Sequence, residues 1–137
     1  MKKIFVLLIL LMILLLNCYS NQTEFTFSNY FNTGVITKYT KNNCSASILP
    51  NVSINSNGKI IGESIYFDQL EIGNALSTLN AQVMFTEYIY SRDLTIIYCS
   101  SPLIEKSVVV KDYIVNLQIA TTDNYTVIGW PMILGSF

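Results

Sequence analysis

The chain begins with its longest apolar stretch and then changes to short segments in which apolar and polar residues alternate. Residues Ile4–Leu16 form an unbroken run of thirteen apolar residues, and Lys2 and Lys3 precede them. A run of this length suits the hydrophobic region of a signal peptide, and is shorter than the roughly 17–25 residues of a membrane-spanning helix. The sequence turns polar at Asn17. The pattern therefore predicts a signal peptide over residues 1–20.

This signal peptide is compatible with two cleavage sites. Cleavage after Ser20 would release the mature chain, because Cys18 and Ser20 are small residues at positions −3 and −1 relative to the cut. Cleavage before Cys18 would leave a lipoprotein, since Leu15–Cys18 resembles a bacterial lipobox whose cysteine receives a lipid. Asn17 departs from that pattern, which usually has Gly, Ala or Ser before the cysteine. An uncleaved membrane anchor is the third alternative.

Alternation over the rest of the chain predicts mostly β-strands. The pattern is clearest in Tyr113–Ile119, where the odd-numbered residues are apolar and would face a core. Asn116 and Gln118 would then lie on the opposite side of that strand. Further strands are predicted at Ser64–Phe67, Gln82–Tyr90, Leu94–Cys99, Val108–Val110 and Tyr125–Trp130.

One helix is expected among these strands. Asp68 followed by Glu71 resembles a capping box, which favours a helix that begins at Asp68 and ends near Asn80. Gly73 would lie inside this helix, at a cost of about 1 kcal/mol relative to alanine, and is expected to allow close packing on a sheet. The apolar stripe of the helix would consist of Leu70, Leu76 and Leu79.

The pattern divides the chain after the signal peptide into two predicted parts. Residues 21–45 lack a clean period and are predicted to form an N-terminal extension, weakly ordered or with edge strands at Glu24–Phe27 and Gly34–Tyr39. Residues 46–137 are predicted to form an α+β domain, an antiparallel sheet meander with one main helix packed on one face. Asn57-Gly58 predicts a type I′ hairpin turn within it.

Composition and charge narrow the classes of function. The chain has a formal net charge of −1, and the exported part is more acidic because Lys2 and Lys3 leave with the signal peptide. Nucleic acids and anionic membrane surfaces favour basic partners, so neither is an expected partner. The chain has no His, the commonest general base and metal ligand, and no Gly-rich phosphate loop. We therefore predict no catalytic, metal or cofactor site and expect a protein that is not an enzyme.

Cys44 and Cys99 remain after export. An exported compartment permits a disulfide between them. The alternative is two separate buried thiols that behave as small apolar side chains.

Glu87 is the carboxylate that the strand pattern places on an apolar face. If that face is buried, the pKa of Glu87 should rise and the carboxylate should have a cationic partner, for which Arg92 and Lys38 are candidates. A cryptic enzyme that uses Glu87 is therefore one functional alternative. The other interpretation is a solvated glutamate on an edge strand.

Aromatic residues on neighbouring predicted strands suggest a contact surface. Exposed tyrosine and tryptophan rings give large contact area to a protein or glycan at small entropic cost. The alternative is that the rings pair across strands inside the core. The candidate interaction surface consists of Tyr88, Tyr90, Asn116, Gln118 and Trp130.

Three motifs in the C-terminal part resemble a known family. They are Tyr98–Ile104, Val115–Ala120 and Ile128–Ile133, in this order. They are similar to the end of the YwmB family, secreted proteins of spore-forming Gram-positive bacteria, over roughly residues 63–134. Trp130 stands where that family usually has Thr. The resemblance implies a fold like that of the TATA-box-binding protein, a curved antiparallel sheet backed by helix, and implies no catalytic residues.

The sequence thus predicts an exported protein, secreted or associated with the cell envelope at the outer face of the cytoplasmic membrane. Its expected role is that of a non-catalytic binding or structural module whose partner is an envelope protein or a glycan. Membrane contact is expected only through the signal peptide or a lipid anchor. A membrane-tethered lipoprotein, acting as an accessory subunit or inhibitor held at Cys18, is the alternative.

Overall fold

The computed structural model describes residues 6–13, 24–40, 44–48 and 60–134. Within these ranges the domain is α+β, with an antiparallel sheet and one main helix, as predicted. Helix α1 spans Ile72–Thr78. The strands are β1 Val35–Thr40, β2 Cys44–Ile48, β3 Ile60–Phe67, β4 Gln82–Ile89, β5 Leu94–Ser100, β6 Val108–Val110, β7 Tyr113–Val115, β8 Leu117–Thr121 and β9 Thr126–Trp130.

The main sheet has seven strands in the order β2-β1-β3-β9-β8-β5-β4, and every pairing in it is antiparallel. Strands β4, β5, β8 and β9 follow one another across the sheet and form the predicted meander. Strands β6 and β7 form a separate two-stranded hairpin between β5 and β8. Strand β3 joins the meander at β9, which places the first and last parts of the described domain side by side.

The predicted boundary at residue 46 is wrong, because the domain begins before it. Strand β1 lies between β2 and β3 and is an interior strand of the sheet. Phe27 and Phe31 are buried in the core. The expected edge strand at Glu24–Phe27 is absent from the described residues, and a short 3-10 turn, Phe27–Asn29, takes its place. The Phe27 N–H donates to the carboxylate of Glu63 rather than to a neighbouring strand.

Helix α1 is shorter than predicted and begins later. Strand β3 continues to Phe67, which pairs with Thr126, so Asp68 lies in the connection that follows β3 and does not cap the helix. Glu71 occupies the N-cap position without a side-chain capping hydrogen bond. Gly73 is exposed, and a Cβ at this position would meet nothing within 4 Å, so the expected close packing at Gly73 is wrong.

Apolar side chains cover both faces of the sheet. On one face, the helix packs against a cluster that includes Ile65, Leu117 and Ile128. The opposite face was expected to be polar, yet it carries a second buried cluster. The hairpin β6–β7 and the segment after β9 cover this second face. The second cluster consists of Leu94, Ile96, Tyr98, Val115 and Ala120, with Val108, Val110, Met132 and Ile133 packed against it.

The predicted strand Tyr113–Ile119 is divided at Asn116. The Asn116 amide accepts a hydrogen bond from the Ser101 N–H at 2.7 Å and donates to the Ser101 and Ile104 carbonyls at 2.8 and 2.7 Å. The break changes the phase of the alternation, because Val115 belongs to the second cluster and Leu117 to the helix-side cluster. The prediction that both residues pack against the helix is therefore wrong for Val115.

Positive φ angles form the turn of the β6–β7 hairpin. The predicted Asn57-Gly58 turn lies outside the described residues. The turn between β6 and β7 consists of Lys111 and Asp112, whose φ angles are 49° and 67°. Positive φ at both central residues is the geometry that matches the twist of a two-residue hairpin.

The predicted signal peptide is described only over residues 6–13. These residues are helical, and every side chain among them is exposed. Among the residues that the structure describes, no helix combines the length and the apolar character needed to cross a membrane.

Candidate functional site

The five residues of the predicted interaction surface do not lie on one surface. Tyr88 and Tyr90 are 46% and 87% exposed, at the end of β4. Asn116, Gln118 and Trp130 are buried, so their assignment to an exposed surface is wrong. Asn116 bonds to backbone, and Gln118 accepts the Ile133 N–H at 3.0 Å because the segment after β9 folds back over it. Trp130 packs in the helix-side core.

The most exposed apolar pair of the described domain lies on the β6–β7 hairpin. Val109 and Ile114 are directly opposite each other in the hairpin register and are 72% and 62% exposed. Val108 and Val110, on the other face of the hairpin, pack against the second cluster. Because alternate residues of a strand point to opposite faces, the packing of Val108 and Val110 directs Val109 and Ile114 away from the domain. We call Val109 and Ile114 the hairpin patch.

Contacts with β4 hold the hairpin in place. Lys111, in the hairpin turn, forms an ion pair with Glu87. The Lys111 ammonium also lies 5.6 Å from the centre of the Phe85 ring, and the Tyr113 ring lies 5.2 Å from the same ring. These contacts fix the tip of the hairpin over the second face of the sheet. The hairpin patch is therefore presented on a supported element.

The partner and the pKa of Glu87 both differ from the prediction. Its partners are Lys111, which replaces the expected Arg92 or Lys38, and the Tyr98 hydroxyl, which donates at 3.0 Å. The hydrogen bond from Lys111, followed by that from Tyr98, holds the pKa of Glu87 below its usual range. The rise was predicted for a buried face, and the Glu87 side chain is instead 33% exposed on the edge strand β4, in line with the alternative interpretation. A carboxylate with a lowered pKa stays ionised near neutral pH, which disfavours a general acid.

Glu63 is the residue that the sequence interpretation missed. Its side chain is fully buried in the middle of the domain. The carboxylate accepts hydrogen bonds from the Thr26 hydroxyl and the Phe27 N–H, both at 2.9 Å, and from the Trp130 indole N–H at 3.3 Å. The Lys38 ammonium lies 3.4 Å away. This set of donors and one cation satisfies a buried charge and ties three distant segments together.

A sequence signal for Glu63 existed. Alternation along β3 places Glu63 on the same face as Ile65 and Phe67, both of which are buried. This is the criterion that selected Glu87, a carboxylate in the middle of an apolar strand face. The donors to Glu63 come from other parts of the chain, so the local pattern indicates that a partner is needed and does not identify it.

An open cleft lies at one end of the sheet, between the β3–α1 connection and the β8–β9 turn. Its volume is about 270 Å³, and its lining includes the carboxylates of Asp68, Glu71 and Asp123 beside the Tyr125 ring. The lining contains no Lys or Arg among the described residues. This end of the domain is therefore acidic. No group of three or more His, Cys, Asp or Glu side chains in the described ranges is arranged to hold a metal ion.

The predicted disulfide between Cys44 and Cys99 is not formed. Cys99 is a buried free thiol, and burial raises its pKa to about 12. Cys44 begins β2, and four strands lie between β2 and β5 in the sheet. Neighbouring strands are about 4.8 Å apart, so roughly 24 Å separates the two strands. A disulfide needs Cα atoms within about 4.4–6.8 Å.

The resemblance of roughly residues 63–134 to the YwmB family stays a prediction from the sequence. No family model, curated protein or solved structure matches the chain.

Proposed function

We propose that the chain is an exported cell-envelope protein that acts as a non-catalytic binding module. Its contact with a partner is made by the hairpin patch. The observation that carries this proposal is the direct cross-strand pairing of Val109 and Ile114, at 72% and 62% exposure, on a hairpin whose other face is packed. Apolar side chains that a domain directs into water are typical of protein contact surfaces.

The chemistry of the hairpin patch favours a protein partner over a glycan. Val109 and Ile114 are aliphatic and offer no hydrogen-bonding side-chain groups. Glycan hydroxyls need placed polar groups beside a ring, as small-molecule sites in general do. An apolar pair of this kind fits instead into a complementary apolar depression on another protein, where contact removes both side chains from water.

Site-specific photo-crosslinking in intact envelopes tests this proposal. A crosslinking amino acid at position 109 should give one defined adduct with an envelope protein. The same amino acid at position 61 is the control, because Ile61 is also an exposed apolar strand residue, at 41% exposure, on β3. The position-109 adduct should disappear when Ile114→Ser is added, while thermal unfolding of the purified protein stays unchanged. Equal adducts at positions 61 and 109 would contradict the proposal.

A tethered form is the second candidate. Here Cys18 carries a lipid after cleavage, and the domain is an accessory subunit or inhibitor held at the membrane. The lipobox-like Leu15–Cys18 favours it. Mass measurement of the mature protein tests this form, because an acyl adduct on Cys18 supports the tether and a chain that begins at Asn21 opposes it.

A further inference from the structure

The described domain has two chemically different ends along the direction of β3. At one end, the Lys106 ammonium donates to the carbonyl of Ile60, the first residue of β3, at 2.7 Å and lies 3.6 Å from Glu24. The Phe25 ring lies 5.7 Å from Trp130, which is opposite Glu63, the fourth residue of β3. The acidic cleft lies at the opposite end. Strand β3 has eight residues, so about 23 Å separates Ile60 from Phe67, and about 13 Å separates the level of Trp130 from Phe67. We call the first the tether end (Glu24, Phe25, Tyr30 and Lys106) and the second the cleft end.

The length of chain before the domain limits where a tethered domain can lie. Glu24 is the sixth residue after Cys18. Six residues in full extension span at most about 20 Å. A lipid on Cys18 would therefore keep the tether end within about 20 Å of the membrane surface. The cleft end lies at the opposite end of β3 from that attachment.

The tether end carries side chains that suit the interface between lipid and water. The Tyr30 ring is 36% exposed and stacks on Phe25 at 5.3 Å. Lys106 is 38% exposed and lies 5.4 Å from the Trp130 ring, close to Glu24 at 3.6 Å. Aromatic rings and lysine are enriched at this interface. The pairing of Lys106 with Glu24 also limits the net negative charge at this end.

The electrostatics of the cleft end favour the opposite placement. Asp68, Glu71 and Asp123 line the cleft without a cation among the described lining residues. The anionic lipid surface repels carboxylates within a Debye length, about 8–10 Å at ordinary salt. Turning the cleft end away from the lipid removes this repulsion.

We propose that the tether end is a membrane-facing surface that meets the lipid headgroups, and that the acidic cleft is directed away from the membrane. This inference rests on the tethered form given above as the second candidate. Its occupant is the lipid surface to which the chain is attached. The cleft end and the cleft itself then remain open to the extracytoplasmic space.

Fluorescence quenching of the full-length chain on lipid vesicles tests the orientation. The protein is processed in cells, purified with its lipid and reconstituted in phosphatidylcholine and phosphatidylglycerol vesicles that carry a nitroxide quencher at the headgroup. One dye is attached through Glu105→Cys near the tether end and, in a second protein, through Asn124→Cys near the cleft end. Both positions are exposed. Cys44→Ser removes a competing thiol, and Cys99 is buried.

The expected result is strong quenching at position 105 and at least several-fold weaker quenching at position 124. Tyr30→Ser should reduce the difference between the two positions. Tyr66→Ser is its matched control and should not, because Tyr66 is similarly exposed, at 39%, and lies towards the other end of β3. Equal quenching at the two positions, or stronger quenching at position 124, overturns the orientation and leaves the binding role of the hairpin patch untouched.

Fractionation of cells distinguishes the two proposals. A mature chain that begins at Asn21 and is recovered in the medium overturns the membrane-facing surface, because no tether then remains. The same protein can still be tested for crosslinking at position 109. Conversely, a membrane-held chain that shows the expected quenching and gives no position-109 adduct supports the orientation and contradicts the hairpin patch as the contact surface.

Discussion

Glu63 and Trp130 are directly paired on β3 and β9, and the Trp130 indole N–H donates to the Glu63 carboxylate at 3.3 Å. The two residues are 67 positions apart in the sequence. The same carboxylate accepts the Phe27 N–H, so one side chain joins the start, the middle and the end of the described domain.

Replacing Glu63 should therefore destabilise the whole domain. Glu63→Ala removes an acceptor shared by three donors and leaves the Lys38 ammonium without its partner, which costs about 3–5 kcal/mol for a buried pair. Glu63→Gln keeps the size and loses the charge, with an expected cost of about 1.5–3 kcal/mol. Urea unfolding measures both values.

Glu105→Gln is the control for Glu63, because Glu105 is exposed. A change at an exposed position away from buried contacts should stay within about 0.5 kcal/mol. If Glu63→Ala is no more damaging than Glu105→Gln, the buried carboxylate does not hold these segments together.

Asn116→Ala should cost at least about 2 kcal/mol, because it leaves the buried N–H and C=O of Ser101 and the C=O of Ile104 without their partner. Asn74→Ala is the matched asparagine change, on the exposed side of α1, and should be neutral or slightly stabilising. Thermal unfolding of the two variants gives the comparison. Equal melting temperatures would show that the division between β7 and β8 does not depend on the Asn116 amide.

Two glycine-to-alanine changes should have opposite signs. A Cβ at Gly129 would lie 2.6 Å from the Ile133 Cα and 2.8 Å from the Met132 carbonyl oxygen, so Gly129→Ala must displace backbone and should cost about 1–3 kcal/mol. Gly73→Ala meets no atom within 4 Å in α1 and should stabilise by up to about 1 kcal/mol. Denaturant midpoints decide the signs, and a stabilising Gly129→Ala would mean that the segment after β9 does not fold back.

Acid should remove the stabilisation that the Glu87–Lys111 pair provides. The folded-state pKa of Glu87 lies below its ordinary value of 4.5, so the contribution is complete above about pH 4.5 and is lost as the pH falls through the folded-state pKa. The difference in unfolding free energy between the wild type and Glu87→Gln should therefore shrink when urea unfolding is repeated at lower pH.

Lys111→Met serves as the partner control for Glu87. It should remove most of the same pH dependence, since the Lys111 hydrogen bond is the largest cause of the lowered pKa. Adding Glu87→Gln to Lys111→Met should then change stability little. A difference between wild type and Glu87→Gln that grows in acid would contradict the lowered pKa.

The alternation of apolar and polar residues was sufficient to predict the strands of the meander. It failed where a segment distant in the sequence covers one face of a strand. Strand β5 alternates as expected, because Leu94, Ile96 and Tyr98 lie on one face. Gln118 was expected on the side of the strand opposite the core. It is buried instead, because Ile133 from the segment after β9 donates to it. The alternation within one strand does not show whether a segment from another part of the chain packs over its polar face.

The candidate site was predicted less well than the fold for a related reason. Tyr88 lies on the edge strand β4 and Tyr90 directly after it, and both are exposed, whereas Trp130 lies on an interior strand with a covered face. Val109 and Ile114 were predicted only as strand residues. Their exposure follows from the hairpin leaving the main sheet, and three-residue strands are too short for the alternation to show which face is packed.

The pairing of β3 with β9 also determines when the sheet can finish folding as the chain is synthesised. Strands β1 to β3 form one half of the sheet and β4, β5, β8 and β9 the other, and β3–β9 is the seam between them. A chain that is synthesised from its N-terminus cannot close this seam until Trp130 has been made, and such non-local pairing is slow because a long loop must close first. Until then Glu63 lacks its indole donor and the helix-side core lacks its last strand. The growing polypeptide therefore stays incompletely folded until β9 has been synthesised and can pair with β3.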